Sequence, residues 1–251
     1  MKVVIIGSGN VATVLGRLIK QAGHYIVQVY SRDIVHANVL GNELQCAVTD
    51  KTDAIDKDAD IYLFALADSA LHDLDKQFHF GNKLVMHTAG SVSKDVLKNV
   101  SLNYGVLYPL QSLRKEIPIA PEIPLLVDGN NDESFEAIKM FAKTLSSIVD
   151  ETTDDQRYKL HVAAVVVNNF TNHLFVLAAD YCKEEYLDFN MLLPLIDETV
   201  RRIHSYSPNE MQTGPAVRDD TVTLDKHFKL LVNYPKLKYI YLKMTESIVG
   251  R

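Results

Sequence analysis

The residues Gly7-Ser8-Gly9-Asn10-Val11-Ala12 follow directly on the apolar run Val3–Ile6 and lead into Val11, Leu15, Leu18 and Ile19, which recur at helical spacing up to Gly23. Glycines at the first and third positions and a small residue at the sixth, set between a strand and a helix, suit the pyrophosphate of a dinucleotide. Gly7 permits the tight turn, Gly9 lets phosphate approach the backbone, and Ala12 allows close packing of helix on strand. Ser8, Asn10 and Val11 complete the cradle, whose free N–H groups stand at the positive end of the helix.

The end of the next strand, Tyr25–Tyr30, selects the nucleotide. An NAD site places an acid there for the ribose hydroxyls, whereas this chain has Ser31 and then Arg32. A hydroxyl and a guanidinium suit a 2′-phosphate, which a carboxylate would repel, so the expected cofactor is NADP(H). NAD(H) is the alternative, with Arg32 a solvated cation and Asp33 supplying the acid one position late. Ligands in such sheets lie beyond the carboxyl ends of the strands. Leu66 and Ala67, and likewise Thr88 and Ala89, are therefore expected pocket walls. Asp68 reads as a cap for a helix starting near Ser69, and His87 as a packed strand residue.

These residues need a scaffold, and the hydrophobic pattern supplies one. Ile61–Leu66 is nearly continuous in apolar residues, as in a parallel strand covered on both faces. Leu84–His87, Val106–Leu107, Leu125–Val127 and Ile148–Val149 are further strands, and Phe135, Ile138, Phe141 and Leu145 mark a helix. Strands alternating with helices predict a doubly wound, mostly parallel α/β sheet over residues 1–150. Residues 151–251 read as helices only, at about 154–182, 191–205, 221–232 and 235–249. Around Val162–Val167 the first is apolar on all sides, which predicts burial all round, most simply against a second subunit; a homodimer through the helical domain is expected.

Composition narrows the function. The chain has 251 residues and a net charge of −6. That is enough for two modest domains and lacks the clustered cations a nucleic-acid binder needs. Cys46 and Cys182 form neither a disulfide framework nor a zinc cluster, so no metal site and a cytoplasmic chain are expected. His161, Asn168, Asn169, Asn172 and His173 would be costly in lipid, which argues against a membrane span at Leu160–Ala179. The chain has no His-Glu-x-x-His, no Gly-x-Ser-x-Gly and no Gly-Lys-Ser/Thr phosphate loop.

With these residues assembled, the chain resembles Rossmann-like proteins carrying a C-terminal helical domain of unknown function, relatives of pyrroline-5-carboxylate reductase and deazaflavin-dependent NADP reductase. Leu84-Val85-Met86-His87-Thr88-Ala89-Gly90 is similar to that family's strand ending in His-Thr-Ser-Gly, and Tyr108-Pro109-Leu110-Gln111 to a His-Pro-Leu-Gln-like element. Tyr158, His161, Ala163, Ala164 and Asn169 match its Tyr/His/Ala-Ala/Asn helix. Gln212-Thr213-Gly214-Pro215-Ala216-Val217-Arg218-Asp219-Asp220 matches a Leu-Thr-Gly-Pro-x-x-Arg-Gly-Asp loop, with His227 following. The resemblance implies a helical second domain of the 6-phosphogluconate dehydrogenase C-terminal type. Tyr108 stands where the family has His, so no proton-transfer role is carried onto it; Asp219 stands where it has Gly.

Hydride transfer needs an oriented substrate and a proton donor or acceptor. His161 is the candidate for the proton, Asn169 for orientation, and Arg218 for an anionic group on a small substrate. The competing readings are that His161, Asn168 and Asn169 satisfy one another, and that Arg218 pairs with Asp219 or Asp220. Two function classes follow. One is an NADP(H)-dependent oxidoreductase acting on a small polar carbonyl, imine or hydroxyl compound in the cleft between the domains, with a deazaflavin as an alternative hydride partner. The other is a nucleotide-binding sensor or partner protein without turnover.

Overall fold

In a computed structural model, which describes residues 1–117 and 122–250, the chain forms two compact units, Met1–Val166 and Val167–Arg251. The change from strands to helices comes earlier, between Glu151 and Asp154.

The first unit is built on one eight-stranded sheet: β1 (Lys2–Ile6), β2 (Tyr25–Tyr30), β3 (Ala47–Thr49), β4 (Ile61–Phe64), β5 (Leu84–His87), β6 (Asn103–Pro109), β7 (Leu125–Gly129) and β8 (Val149–Glu151). Their spatial order is β3-β2-β1-β4-β5-β6-β7-β8, with every neighbouring pair parallel except β6 and β7. The reversal between β1→β2→β3 and β1→β4→β5 opens a crevice at the carboxyl ends of β1 and β4, the switch point of a doubly wound sheet. The expected doubly wound, mostly parallel architecture is the one observed.

Alternation along the strands explains the two-sided burial. Val3 and Ile5 face one layer with Ile61 and Leu63, while Val4 and Ile6 face the other with Tyr62 and Phe64. Helices α1 (Asn10–Gln21), α2 (Ile34–Leu44) and α3 (Asp132–Leu145) cover the first face through Leu15, Ile19, Leu40, Ile138 and Phe141. The second face is covered differently. Short 3-10 turns at Asp68–Ala70, Leu74–Lys76 and Lys94–Leu97 bring Leu71, Leu74, Phe78 and Leu97 onto Tyr62 and Phe64. The α-helix expected near Ser69 is therefore only a 3-10 turn, and Asp68 lies inside it without capping.

Helix α4 (Asp154–Ala164) ends the first unit and continues as a π-helical turn, Val165–Phe170, into α5 (Thr171–Glu184). Its start follows from the sequence: Thr153 and Gln156 form a reciprocal capping box, with Asp154 and Asp155 in the first turn. The remainder of the second unit is helical among the described residues, with α6 (Leu193–Arg202), α7 (Thr221–Leu230) and α8 (Pro235–Val249). Pro235 opens α8, where its missing N–H costs nothing.

The run Asp154–Glu184 is long and apolar enough to cross a membrane, with 6% of its most apolar window buried. The expected burial all round is thus not met within one chain: Val162, Val166, Val167 and Phe170 are all exposed.

Candidate active site

The site begins at the glycine turn. Gly7 has φ +124°, and its N–H donates to the Tyr30 carbonyl 2.8 Å away. A Cβ there would fall 2.2 Å from the Ala65 carbonyl oxygen, so only glycine lets the ends of β1 and β4 close together. Gly9 is the N-cap of α1 and has open space beside it, with no acid in the first turn. The helix thus presents free N–H groups to an uncrowded volume that favours anions. Asn10 holds the rim, its Oδ1 accepting from the Lys115 N–H, and Val11 packs against the core below.

Ser8 and Ser31 meet across the turn, Oγ to Oγ, at 2.9 Å. Asp33, the alternative acid for a ribose, is the N-cap of α2. Its carboxylate accepts from the N–H groups of Val35 and His36, and the hydrogen bond from His36 holds its pKa below the usual range. Arg32 is exposed and makes no hydrogen bond or ion pair among the described residues. A pocket of about 180 Å³ opens beside the turn, lined by Ser8, Arg17, His36, Glu43, Lys115 and Glu116 among others. His36 reaches this pocket from α2, a helix that the apolar pattern of the sequence does not mark.

Leu66 and Ala67 follow β4 and are partly or fully exposed. Thr88 and Ala89 follow β5 and are buried; the Thr88 N–H donates to the Phe64 carbonyl, and the Ala89 N–H to His87 Nδ1. His87 is fully buried, and its Nε2 lies 3.3 Å from the Ser93 carbonyl. With Nδ1 accepting and Nε2 donating, this imidazole is neutral and braces the loop. Burial, reinforced by the Arg157 charge, pushes its pKa down to about 4.

The same loop is clamped to α4. The fully buried Arg157 donates from Nη2 to the Val92 carbonyl and to Asp154 Oδ1 at 2.6 Å, while Asp154 also accepts from Ser93 Oγ. Burial alone would raise the Asp154 pKa, but the hydrogen bonds from Ser93 and Arg157 outweigh it and hold the carboxyl low. Ser91 Oγ donates to Asp68, which ties the β4 and β5 loops together.

This clamp positions His161 in the last turn of α4. Its Nδ1 lies 3.0 Å from Tyr108 Oη at the end of β6, and both side chains rest on Gly90. A Cβ at Gly90 would fall 2.7 Å from His161 Nδ1 and 2.8 Å from Tyr108 Cζ. Tyr108 is 9% exposed. Burial and the Asp68 charge raise its pKa, with Arg157 opposing, so the phenol keeps its proton at neutral pH. His161 therefore partners Tyr108, a residue to which no proton role was carried from the sequence.

Asn169 and Arg218 belong to the second unit. Asn169 is exposed on the π-helical turn, and Arg218 is exposed on the Thr213–Asp220 segment. Gly214 has φ +112° and Asp219 φ +52°, so the aspartate adopts the left-handed conformation that the family's glycine would take without strain. Asp220 caps α7 through the Thr223 N–H and is not ion-paired to Arg218. The loop, with Tyr241 and Met244 of α8, lines an apolar cavity of about 230 Å³. His227 Nδ1 is 2.7 Å from Tyr241 Oη, a contact within the helical unit. Among the described residues no group of three or more His, Cys, Asp or Glu is placed to hold a metal.

The sheet order, the glycine turn and the anion-ready start of α1 define a Rossmann-like protein with the fold of NADP oxidoreductases. Residues 2–89 match the family of coenzyme F420-dependent NADP oxidoreductases, and residues 123–248 match a domain of unknown function, DUF2520. The chain belongs to the DUF2520 family. A Bacteroides fragilis protein carrying an NADP oxidoreductase assignment is 36% identical, with a TM-score of 0.93 over 100% of this chain and 98% of that one. The fold is shared with 1-pyrroline-5-carboxylate reductase from Streptococcus pyogenes (14% identity, TM-score 0.66, 100% and 99% covered). It is also shared with an imine reductase from Myxococcus stipitatus solved with NADP+ (15% identity, TM-score 0.64, 100% and 92% covered). No curated protein matches significantly.

Proposed function

We propose that the protein is an NADP(H)-dependent oxidoreductase that transfers hydride to or from a small polar carbonyl, imine or hydroxyl compound. What supports this reading is the coexistence, at the carboxyl ends of one sheet, of the open glycine turn at the start of α1 and a histidine, His161, held beside the β5 and β6 ends. Ser31 and the unpaired Arg32 supply donors for a 2′-phosphate, while Asp33 is engaged as the N-cap of α2. When bound, the nicotinamide supplies or accepts the hydride; the protein supplies orientation and the proton.

His161 is assigned to the proton-transfer step, in hydrogen-bond contact with Tyr108 above Gly90. Asn169 is assigned to orientation and Arg218 to an anionic group on the substrate. Imine chemistry is favoured by analogy with the imine reductase and pyrroline-5-carboxylate reductase that share the fold. A deazaflavin as hydride partner is the alternative suggested by the family matching residues 2–89. The exposed apolar side chains of the second unit support a homodimer formed through it, and two free cysteines fit a cytoplasmic chain.

The test is a cofactor-oxidation screen with NADPH against cyclic imines, 2-oxo acids and a deazaflavin, with His161→Ala as control. Turnover of one class that falls in the variant supports the reading. NADPH binding without turnover of any class would instead support a nucleotide-binding sensor.

A further inference from the structure

We propose that Tyr108 is the residue that hands the proton to the substrate, with His161 as the positioning partner behind it. This rests on the reading of the protein as an NADP(H)-dependent reductase. Tyr108 is the penultimate residue of β6, at the carboxyl edge where ligands of such sheets lie, and its ring packs on Gly90 just beyond β5. His161 is its hydrogen-bond partner, and no other protein acceptor for the phenol proton occurs among the described residues. If His161 donates from Nδ1, the Tyr108 O–H is left free to point at a ligand.

The remaining groups nearby are committed elsewhere. His87 is buried and neutral between the Ala89 N–H and the Ser93 carbonyl. Asp68 is held by Ser91, and Arg157 by Val92 and Asp154. Tyr108 is thus the proton-bearing group at this edge whose hydrogen-bond partner, His161 Nδ1, can stand as donor to it, which leaves the phenolic O–H for a ligand.

The step balances as follows. Hydride arriving on the carbon of a C=N or C=O bond sends the π pair to the heteroatom. The heteroatom takes the Tyr108 proton and the phenolic O–H bond breaks. The phenolate, held by the Nδ1–H of His161, then takes a proton from water, which leaves as hydroxide to the solvent, and His161 keeps its tautomer throughout. The net change is one hydride and one proton added to the substrate.

The test compares wild type, Tyr108→Phe, His161→Ala and His161→Gln. NADPH affinity is measured by fluorescence titration, NADPH oxidation is followed with 1-pyrroline and with a 2-oxo acid, and the imidazole 15N shifts of His161 are recorded. Tyr108→Phe keeps the ring on Gly90, so it is expected to fold and to bind NADPH as wild type does while losing about 10²–10⁴-fold in kcat. His161→Gln, which retains an N–H donor, is expected to keep more activity than His161→Ala. The 15N shifts are expected to report an Nδ1–H tautomer that changes in Tyr108→Phe. The proposal is overturned by a Tyr108→Phe rate within threefold of wild type. An Nε2–H tautomer in wild type also overturns it, because the phenol proton would then be spent on Nδ1. Failure of the wild type to bind NADPH overturns the functional reading instead, and the 15N shifts still decide whether the phenol proton is free.

Discussion

Tyr108 Oη and His161 Nδ1 stand 3.0 Å apart across 53 residues of sequence, and Gly90 is the floor on which both side chains rest. Gly90→Ala would put a methyl carbon 2.7 Å from the imidazole nitrogen, closer than real Cβ contacts come. The expected result is destabilisation by about 1–3 kcal/mol, the usual range for overpacking, together with loss of the Tyr108–His161 hydrogen bond. Urea denaturation and the His161 15N shifts check it; an unchanged midpoint would mean that the loop yields freely.

His87 makes stability depend on pH. Its folded pKa of about 4 lies below the ordinary value of 6.5, so the unfolded chain binds the extra proton first. Its contribution is therefore constant above about pH 6.5 and is lost as pH falls from there toward 4, by roughly 3 kcal/mol in all. Wild type should lose stability over this interval, and His87→Gln should show a shallower slope while being less stable at pH 7.5. Parallel slopes would contradict the assignment.

Arg157 is fully buried, and its Nε and Nη1 atoms have no hydrogen-bond partner. Removing the guanidinium leaves Asp154 without its buried cation and frees the Val92 carbonyl. Arg157→Ala is expected to cost about 3–5 kcal/mol, the range for breaking a buried pair from one side. Chemical denaturation measures it, and a loss under 1 kcal/mol would show that the clamp contributes little.

The second unit leaves Val167, Phe170, Val176 and Leu195 exposed, side chains that a homodimer formed through it would cover. Sedimentation at micromolar concentration should give a dimer, and Phe170→Asp should weaken it by about tenfold or more. A monomer at that concentration removes the proposed homodimer.

The parts of the fold legible in sequence are those set by local chemistry. Val3–Ile6 followed by Gly7 and Gly9 specifies a strand, a turn and a helix start, and Pro235 marks the first turn of α8. Helix α2 escaped notice because Ile34, Val35 and Val39 are exposed, which blurs its apolar stripe, and it ends on Gln45 at φ +60° where a glycine would have signalled the stop. The connection after β4 reads as a helix from near Ser69 but closes as a 3-10 turn, a difference of hydrogen-bond register that hydrophobic spacing does not encode. The Tyr108–His161 contact was out of reach for another reason: it joins two elements distant in sequence, and no spacing rule links them. Gly90 was its one local trace, a glycine after β5 whose purpose became clear only with both neighbours in place.

The central claim, that the glycine turn with Ser31 and Arg32 receives a phosphorylated dinucleotide, is tested most directly by fluorescence titration of NADPH and NADH against wild type and Arg32→Asp. NADPH should bind wild type about 10–100-fold more tightly than NADH, in keeping with one or two charge-assisted hydrogen bonds to the 2′-phosphate, and Arg32→Asp should reverse the order. Equal, millimolar-weak binding of both nucleotides to wild type would contradict the account.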